Sequence, residues 1–309
     1  MSWDPRHLPS AAGRTFVVTG GNAGIGYFTA EQLASTGAHV VLASRSAEKA
    51  RRAIAAIADH VPGASADFVS LDLGSLSSVA DAAEQLRAFG PIDGLINNAG
   101  LVSPPARRAT TDDGHELVVG TNFFGHFALT ARLWPALSAT ARVVGLGSMA
   151  TRLVRLDPSD LLSDRRYRPF RAYGLSKHAV HGFAFELDRR IRAAGPSKSG
   201  EQRLSLLAHP GFSVDGLAER RPGINDTSLG ARVRDGLLAV AAQGKHQGAW
   251  PTIRAALDPD AVSGQFYGPA RNMSGPPIVM APVVSSATPE FGAHLWALAE
   301  ERTGVTFTV

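Results

Sequence analysis

A chain of 309 residues, 44% apolar and 19% charged, has the make-up of a globular protein with one large or two modest domains. Its formal charge of +4 comes from arginines scattered along the chain, with no basic stripe interleaved with aromatics, so nucleic-acid binding is disfavoured. The lack of cysteine excludes disulfides, thiolate zinc sites and cysteine nucleophiles, and the ten histidines show no ligand spacing, so no catalytic metal is expected.

The first residues lack the basic-then-apolar pattern of a secretory leader, and no apolar run approaches the ~18 residues of a spanning helix, so a cytoplasmic enzyme without a transmembrane segment is expected. An apolar strand, Thr15 to Thr19, breaks into Gly20-Gly-Asn-Ala-Gly-Ile-Gly26 and a helix pattern reaching about Ser35. Glycines open backbone angles closed to other residues, and a pyrophosphate can then rest at the positive helix N-terminus. This stretch therefore reads as a phosphate cradle, with an ordinary tight turn as the bland alternative. Its spacing is T-G-x-x-x-G-x-G, not the common G-x-G-x-x-G.

A second strand, His39 to Ala43, ends at Ser44 and Arg45. At such a strand end an acidic residue favours NAD and an arginine favours the 2′-phosphate of NADP. The serine and arginine here predict NADP, with NAD the less favoured cofactor. After a helix pattern from Ala47 to about His60 comes a third strand, Asp67 to Leu71, followed by Asp72 and Leu73. The Asp72 carboxylate can accept from an adenine amine or cap the helix that begins near Ser75. A fourth strand, Ile92 to Ile96, runs into Asn97-Asn98-Ala99-Gly100. Strands alternating with helices specify an α/β fold with a doubly wound parallel sheet. Ligands of such sheets bind beyond the carboxyl ends of the strands, where all these motifs fall.

After a proline-containing loop from Leu101 to Asp113, a long helix is expected from about Gly114 to Leu137, carrying Asn122. A fifth strand, Arg142 to Leu146, ends in Gly147-Ser148, and residues 152–169 form a polar, arginine-rich insertion. The next helix, about Phe170 to Ala194, presents Tyr173 and Lys177 four residues apart on one face. An ammonium beside a phenol favours the phenolate, pulling the tyrosine pKa down from about 10. Such a tyrosine can protonate a ketone or deprotonate an alcohol. A lone pair at this spacing is equally a packed tyrosine with a snorkelling lysine, so its weight depends on the rest of the chain.

Residues 195–200 read as a flexible connection to a sixth strand, Leu204 to Ala208, which ends in His209-Pro210-Gly211-Phe212-Ser213. The polar, turn-rich stretch at about 212–228 has the composition of a mobile substrate lid. A helix pattern from Leu229 to Ala242 follows, then a C-terminal extension at about 245–309 with an amphipathic helix from about Pro289 to Arg302. No repeat or shift of composition marks a second domain.

Taken together, Thr19 to Gly26, Asn97 to Gly100, Asn122, Ser148, Tyr173 with Lys177, and Pro210-Gly211 resemble the short-chain dehydrogenase/reductase family, in the family's order and with comparable spacing. Asn22 in the glycine turn, the Ser44-Arg45 pair and Gly264-Gln-Phe-Tyr-Gly-Pro269 further resemble its retinol-dehydrogenase-like branch. The resemblance implies a single Rossmann-type domain spanning residues 1–309 with NADP(H) across the strand ends. It assigns Tyr173 as general acid/base and Lys177 to the nicotinamide ribose, where it also lowers the Tyr173 pKa. Ser148 falls to the substrate oxygen and Asn122 to a water linking Lys177 to solvent. Thr19 to Gly26, including Gly20, Asn22, Gly24, Ile25 and Gly26, would take the pyrophosphate, with Ser44 and Arg45 at the adenosine ribose and Asp72 and Leu73 at the adenine. Asn98, Ala99 and Gly100 would line the ribose region, and Pro210, Gly211, Phe212 and Ser213 the nicotinamide amide.

The expected activity is interconversion of a carbonyl and an alcohol on a small substrate, hydrophobic by the apolar Phe212 and Leu217 near the lid; homo-oligomerisation is left open. A non-catalytic NADP(H)-binding sensor on the same fold is the alternative, disfavoured because such proteins typically lose the tyrosine or lysine. An epimerase or dehydratase is a third option, but those relatives resemble T-G-x-x-G-x-x-G, which this chain does not match. One departure stands out: Gly147 occupies a place where a second serine is frequent, and is expected to enlarge the pocket slightly.

Overall fold

Runs of β-branched and apolar residues become strands buried on both faces, as a parallel sheet requires. The computed structural model describes residues 3–197 and 199–309; Lys198, in the expected connection at 195–200, lies outside the described residues. Among the described residues ten strands form: β1 (Thr15–Thr19), β2 (His39–Ser44), β3 (Ser65–Ser70), β4 (Ile92–Asn97), β5 (Leu137–Leu146), β6 (Leu204–Ala208), β7 (Ser213–Val214), β8 (Gln243–Gly244), β9 (Phe266–Pro269) and β10 (Pro277–Met280). Eight of them make one sheet in the order β10-β9-β6-β5-β4-β1-β2-β3, while β7 and β8 pair separately. Every neighbouring pair in the large sheet is parallel except β9 and β10. The strand order reverses between β1 and β4, so the crevice at that switch point opens beyond their carboxyl ends.

Alternation along the strands divides the core into two layers. Phe16 and Val18 pack on the side of Phe28, Leu33 and Ile253, whereas Val17 faces Leu95, Phe127 and Phe183. Ser46 and Ser75 cap helices Ala47–His60 and Leu76–Arg87 by accepting from Lys49 N and Ser78 N, satisfying N–H groups that the first turn leaves free. The C-terminal helix Pro289–Thr303 closes the second layer: Trp296 stacks on Phe307 at 4.8 Å between centroids and meets Phe127 edge-on at 5.2 Å. Among the described residues no helix is long and apolar enough to cross a membrane.

Two helices differ from expectation. The helix expected at 114–137 is broken into an α turn (Leu117–Val119), a π-helical turn (Gly120–Phe124), an α-helix (Gly125–Leu133) and a 3-10 turn (Trp134–Ala136). It starts late because Glu116 folds back to cap it, accepting from Val118 N at 3.0 Å and Val119 N at 2.8 Å. It ends early because Leu137 pairs with Ile92, beginning β5 five residues before the expected Arg142. The insertion at 152–169 is tied down by Arg171, which donates to Asp157 at 3.1 Å and to the buried Asp160 at 3.0 Å. The stretch at 212–228 is tethered as well: Arg221 makes a two-pronged ion pair with Glu31 at 2.6 and 2.8 Å, and Tyr27 donates to the same carboxylate at 2.7 Å. Beyond it, helix Leu229–Leu237 stops short of the expected Ala242.

Candidate active site

The end of β5 and the long helix Pro169–Ala194 bring the chemistry together. Pro169 opens that helix, where its missing N–H leaves no bond unmade, and the helical repeat turns Tyr173 and Lys177 the same way. Lys177 is buried and its Nζ donates to the Leu146 carbonyl at 2.7 Å. The ammonium lies 5.8 Å from the centroid of the Tyr173 ring. Ser148 lies two residues past the end of β5, with its hydroxyl beside the Tyr173 phenol. Its oxygen accepts from Ala150 N at 3.1 Å, leaving the proton free to be donated. A side chain at Gly100 would come within 3.2 Å of Asn122 Oδ1 and 3.7 Å of Lys177 Nζ, so the end of β4 joins the same site.

Burial pushes the Tyr173 phenol above its ordinary value, and the Ser148 hydroxyl pulls against that shift. Burial also pushes Lys177 down, to about 8. The expected lowering of the tyrosine by the lysine is therefore outweighed in this arrangement: the ammonium points at a strand carbonyl, and loss of water dominates both groups. At neutral pH the phenol keeps its proton, the form needed to protonate a carbonyl oxygen.

Asn122 sits in the π-helical turn, a geometry that recurs at functional sites. Its Oδ1 accepts from Leu101 N at 2.7 Å and its Nδ2 donates to Ser176 Oγ at 2.9 Å. The side chain thus ties the loop after β4 to the Tyr173 helix, while the backbone carbonyl faces His126 Nδ1 at 3.0 Å. A carbonyl only accepts, so Nδ1 carries the hydrogen and Nε2 must accept from Thr19 Oγ1, 3.0 Å away. Burial pushes His126 down to about 4 and keeps it neutral, as this pattern demands. Thr19 also accepts from Ala99 N at 2.9 Å. It is fully buried and belongs to the frame under the glycine turn, not to the pyrophosphate surface where it was expected.

Gly147 does not enlarge the pocket. The space is filled by His181 of the Tyr173 helix, whose Nε2 accepts from Ser148 N at 3.3 Å, and a Cβ at position 147 would overlap that nitrogen. Burial pushes His181 well below its ordinary value, so it stays a neutral acceptor that steadies the backbone of Ser148.

At the other end of the rim, Gly20 and Gly24 have φ of +66° and +57°. A Cβ at Gly26 would overlap Gly20 O and Asn98 Nδ2, because Asn98 reaches across to donate to Thr19 O at 2.7 Å. Asn22 and Ile25 remain partly exposed beside the turn. The helix beginning at Gly24 has no side-chain cap and no acidic residue in its first turn. Ser44 is buried with its hydroxyl unpartnered among the described residues, and the exposed Arg45 makes no ion pair among them. A crowded turn with bare N–H groups, followed by an orphaned hydroxyl and a free guanidinium, fits a dinucleotide.

The remaining residues divide. Asp72 spends Oδ1 on Gly74 N at 2.9 Å, a turn role, and keeps its other oxygen, while Leu73 packs in the core. Gly211, with φ of +66°, passes too close to Met273 O for a Cβ, and Phe212 N donates to that carbonyl at 2.8 Å. Ser213 Oγ donates to Pro210 O at 2.8 Å and so braces its own loop. Three residues went unnoticed in the sequence: His126, His181, and Lys245, whose Nζ lies 3.5 Å from where a Gly24 side chain would begin. A buried histidine or a distant lysine carries no local pattern.

The family described as short chain dehydrogenase matches residues 14–195. Polyprenol dehydrogenase of Mus musculus is 34% identical over 310 residues, covering 97% of this chain and 87% of that protein. Retinol dehydrogenase 13 of Homo sapiens is 31% identical over 299 residues, covering 95% and 85%. Among solved structures, an uncharacterized protein from Mycobacterium paratuberculosis superposes with a TM-score of 0.79 at 35% identity over 100% of both chains. A protein of Beutenbergia cavernae assigned as an NAD(P)-dependent gluconate 5-dehydrogenase, with NADP bound at low occupancy, gives 0.62 at 27% identity, covering 84% of this chain and 96% of that one.

Three substitutions test this geometry. Gly147→Ser should lower stability by roughly 1–3 kcal/mol in urea unfolding, and His181→Ala in the same chain should recover part of the loss; an undiminished midpoint in the single variant would refute the overlap. Lys177 has a folded value of about 8 against 10.5 when free, so between these pH values the unfolded chain binds more protons and stability rises with pH. The penalty is full below pH 8 and gone above 10.5. Lys177→Met should therefore stabilise the cofactor-free protein at pH 7 by roughly 1–3 kcal/mol, the gain fading as pH passes through that window. Equal loss of stability at both ends would contradict a desolvated lysine.

Proposed function

The chain belongs to the short-chain dehydrogenase family, an oxidoreductase family, and on that premise we propose that it is an NADP(H)-dependent enzyme interconverting a carbonyl and an alcohol on a hydrophobic substrate, with Tyr173 as general acid/base. The observation that carries the reading is the Ser148 hydroxyl beside the Tyr173 phenol, with the buried Lys177 ammonium 5.8 Å from the centroid of the same ring. Gly20, Gly24 and Gly26 would hold the pyrophosphate, Ser44 and Arg45 the 2′-phosphate, and Lys177 with Asn98 to Gly100 the nicotinamide ribose. When bound, the dinucleotide supplies or accepts the hydride. In the reducing direction Tyr173 gives its proton to the substrate oxygen while Ser148 donates a hydrogen bond to the same atom. These two donors are fixed before the reaction and stabilise charge as it develops on that oxygen. The Lys177 cation then favours the phenolate left behind. In the oxidising direction the phenolate takes the alcohol proton, and the same contacts run in reverse.

An apolar substrate is supported by the mouth of the site. Val102, Leu153, Phe170 and Phe212 are all exposed, on the segments that follow β4, β5 and β6 and at the start of the Tyr173 helix. Exposed apolar side chains on segments that lead from the strand ends suit a hydrophobic ligand. The two relatives named above are by their names dehydrogenases of polyprenol and retinol, both apolar alcohols. A non-catalytic sensor would have no use for a buried lysine and a poised tyrosine, so the enzyme reading stands first.

Tyr173→Phe should lower NADPH-linked turnover by about 10²–10⁴-fold and leave the NADPH dissociation constant within a few-fold, read by absorbance and by fluorescence titration. Turnover comparable to that of the unaltered protein would remove the mechanism. Arg45→Glu should move the ratio of NADPH to NADH affinity toward NADH, since a carboxylate repels the 2′-phosphate and can accept from ribose hydroxyls; an unchanged ratio would count against the assignment.

A further inference from the structure

Lys245 lies far along the chain from every motif of the site, yet the fold delivers it to the glycine turn. The β7–β8 pairing, Ser213 with Gln243 and Val214 with Gly244, brings the C-terminal extension back beside the loop that follows β6. Gln243 Nε2 donates to Pro210 O at 2.9 Å, and Gln32 Nε2, from the helix after the glycine turn, donates to His246 O at 2.9 Å. Lys245 is pinned between these two anchors. Its Nζ bonds Asp215 Oδ2 at 2.5 Å, and its Nζ, Cδ and Cε all lie within 4 Å of where a Gly24 side chain would begin. Gly24 leads the uncapped first turn of its helix, so a cation is held against the positive end of a helix with one carboxylate to offset it. The chain has only four lysines among its 31 basic residues, and two of them reach this rim.

We propose that Lys245 is a pyrophosphate-binding residue that exchanges partners: it is paired with Asp215 in the cofactor-free protein and turns to the dinucleotide when it binds. This rests on the NADP(H) reading above. A pyrophosphate carries two negative charges against one on Asp215, and a flexible ammonium with three donors can swing between them without moving the backbone. Glycine at position 24 keeps the path open, because any side chain there would stand between the amine and the turn. The exchange links the C-terminal extension to the bound cofactor through this one side chain. The competing account is a partly exposed ion pair that only fastens Asp215, of the kind that contributes little.

The test is fluorescence titration of the full chain with NADPH and, in parallel, with adenosine 2′-monophosphate, which has the ribose phosphate but no pyrophosphate. Lys245→Gln should raise the NADPH dissociation constant about tenfold or more, the loss of one charge-assisted contact, and leave that of adenosine 2′-monophosphate within about twofold. Arg45→Glu should weaken both ligands. Asp215→Asn, which frees the lysine, should tighten NADPH several-fold, and so tests the exchange even if Lys245→Gln folds poorly. NADPH affinity within twofold of the unaltered protein in Lys245→Gln, equal weakening of both ligands, or no tightening in Asp215→Asn overturns the proposal while the cofactor reading survives. Failure of the unaltered protein to bind NADPH would instead sink the cofactor reading, and this proposal with it.

Discussion

A single buried ammonium sets the terms for this site. Lys177 is held by one strand carbonyl, Leu146 O, at the edge where β5 hands over to Ser148. Desolvating a cation is costly, and one hydrogen bond does not offset it. The cost is tolerated because the same contact docks the Tyr173 helix on the sheet, one helical turn from the phenol. The charge that weakens the protein by itself is, in the proposed mechanism, the charge that favours the reacting phenolate.

The neighbouring histidines follow from that constraint. His126, His178, His181 and His209 are all buried and all pushed below their ordinary value, chiefly by loss of water, with Lys177 adding to the effect on His126 and His181. A second cation beside Lys177 would compound the penalty, so these rings serve as neutral connectors. His126 links Asn122 to Thr19, and His181 links the Tyr173 helix to the Ser148 backbone. A neutral imidazole offers one donor and one acceptor at a fixed distance, which allows it to join strand to helix without importing charge.

The C-terminal extension is part of the same device. Trp296 and Phe307 finish the aromatic layer behind the site against Phe127 and Phe183, while β8 carries Lys245 forward to the glycine turn. One segment thereby stabilises the back of the sheet and reaches over its front. The arginine clasp from Arg221 to Glu31 fastens the intervening stretch to the helix that starts at the glycine turn, so that turn, the C-terminal extension and the loop after β6 are mechanically joined.

What the sequence determined by itself is what neighbouring residues decide among themselves. The glycine turn after β1, the strand alternation and the four-residue step from Tyr173 to Lys177 are local, since backbone angles and helical repeat act over a few residues. The tertiary structure decided the rest, through contacts between distant segments. β5 begins early because Leu137 finds Ile92, and the helix at Asn122 carries a π turn that hydrophobic periodicity does not mark. Thr19 is turned inward by His126 and Ala99, and Gly147 is a glycine because His181 needs the room. The protonation of Tyr173 follows the same rule: its neighbour in sequence favours a lowered pKa, but burial, which depends on the whole fold, sets the direction upward. Desolvation and close packing are properties of assembled segments, and no short stretch of chain encodes them alone.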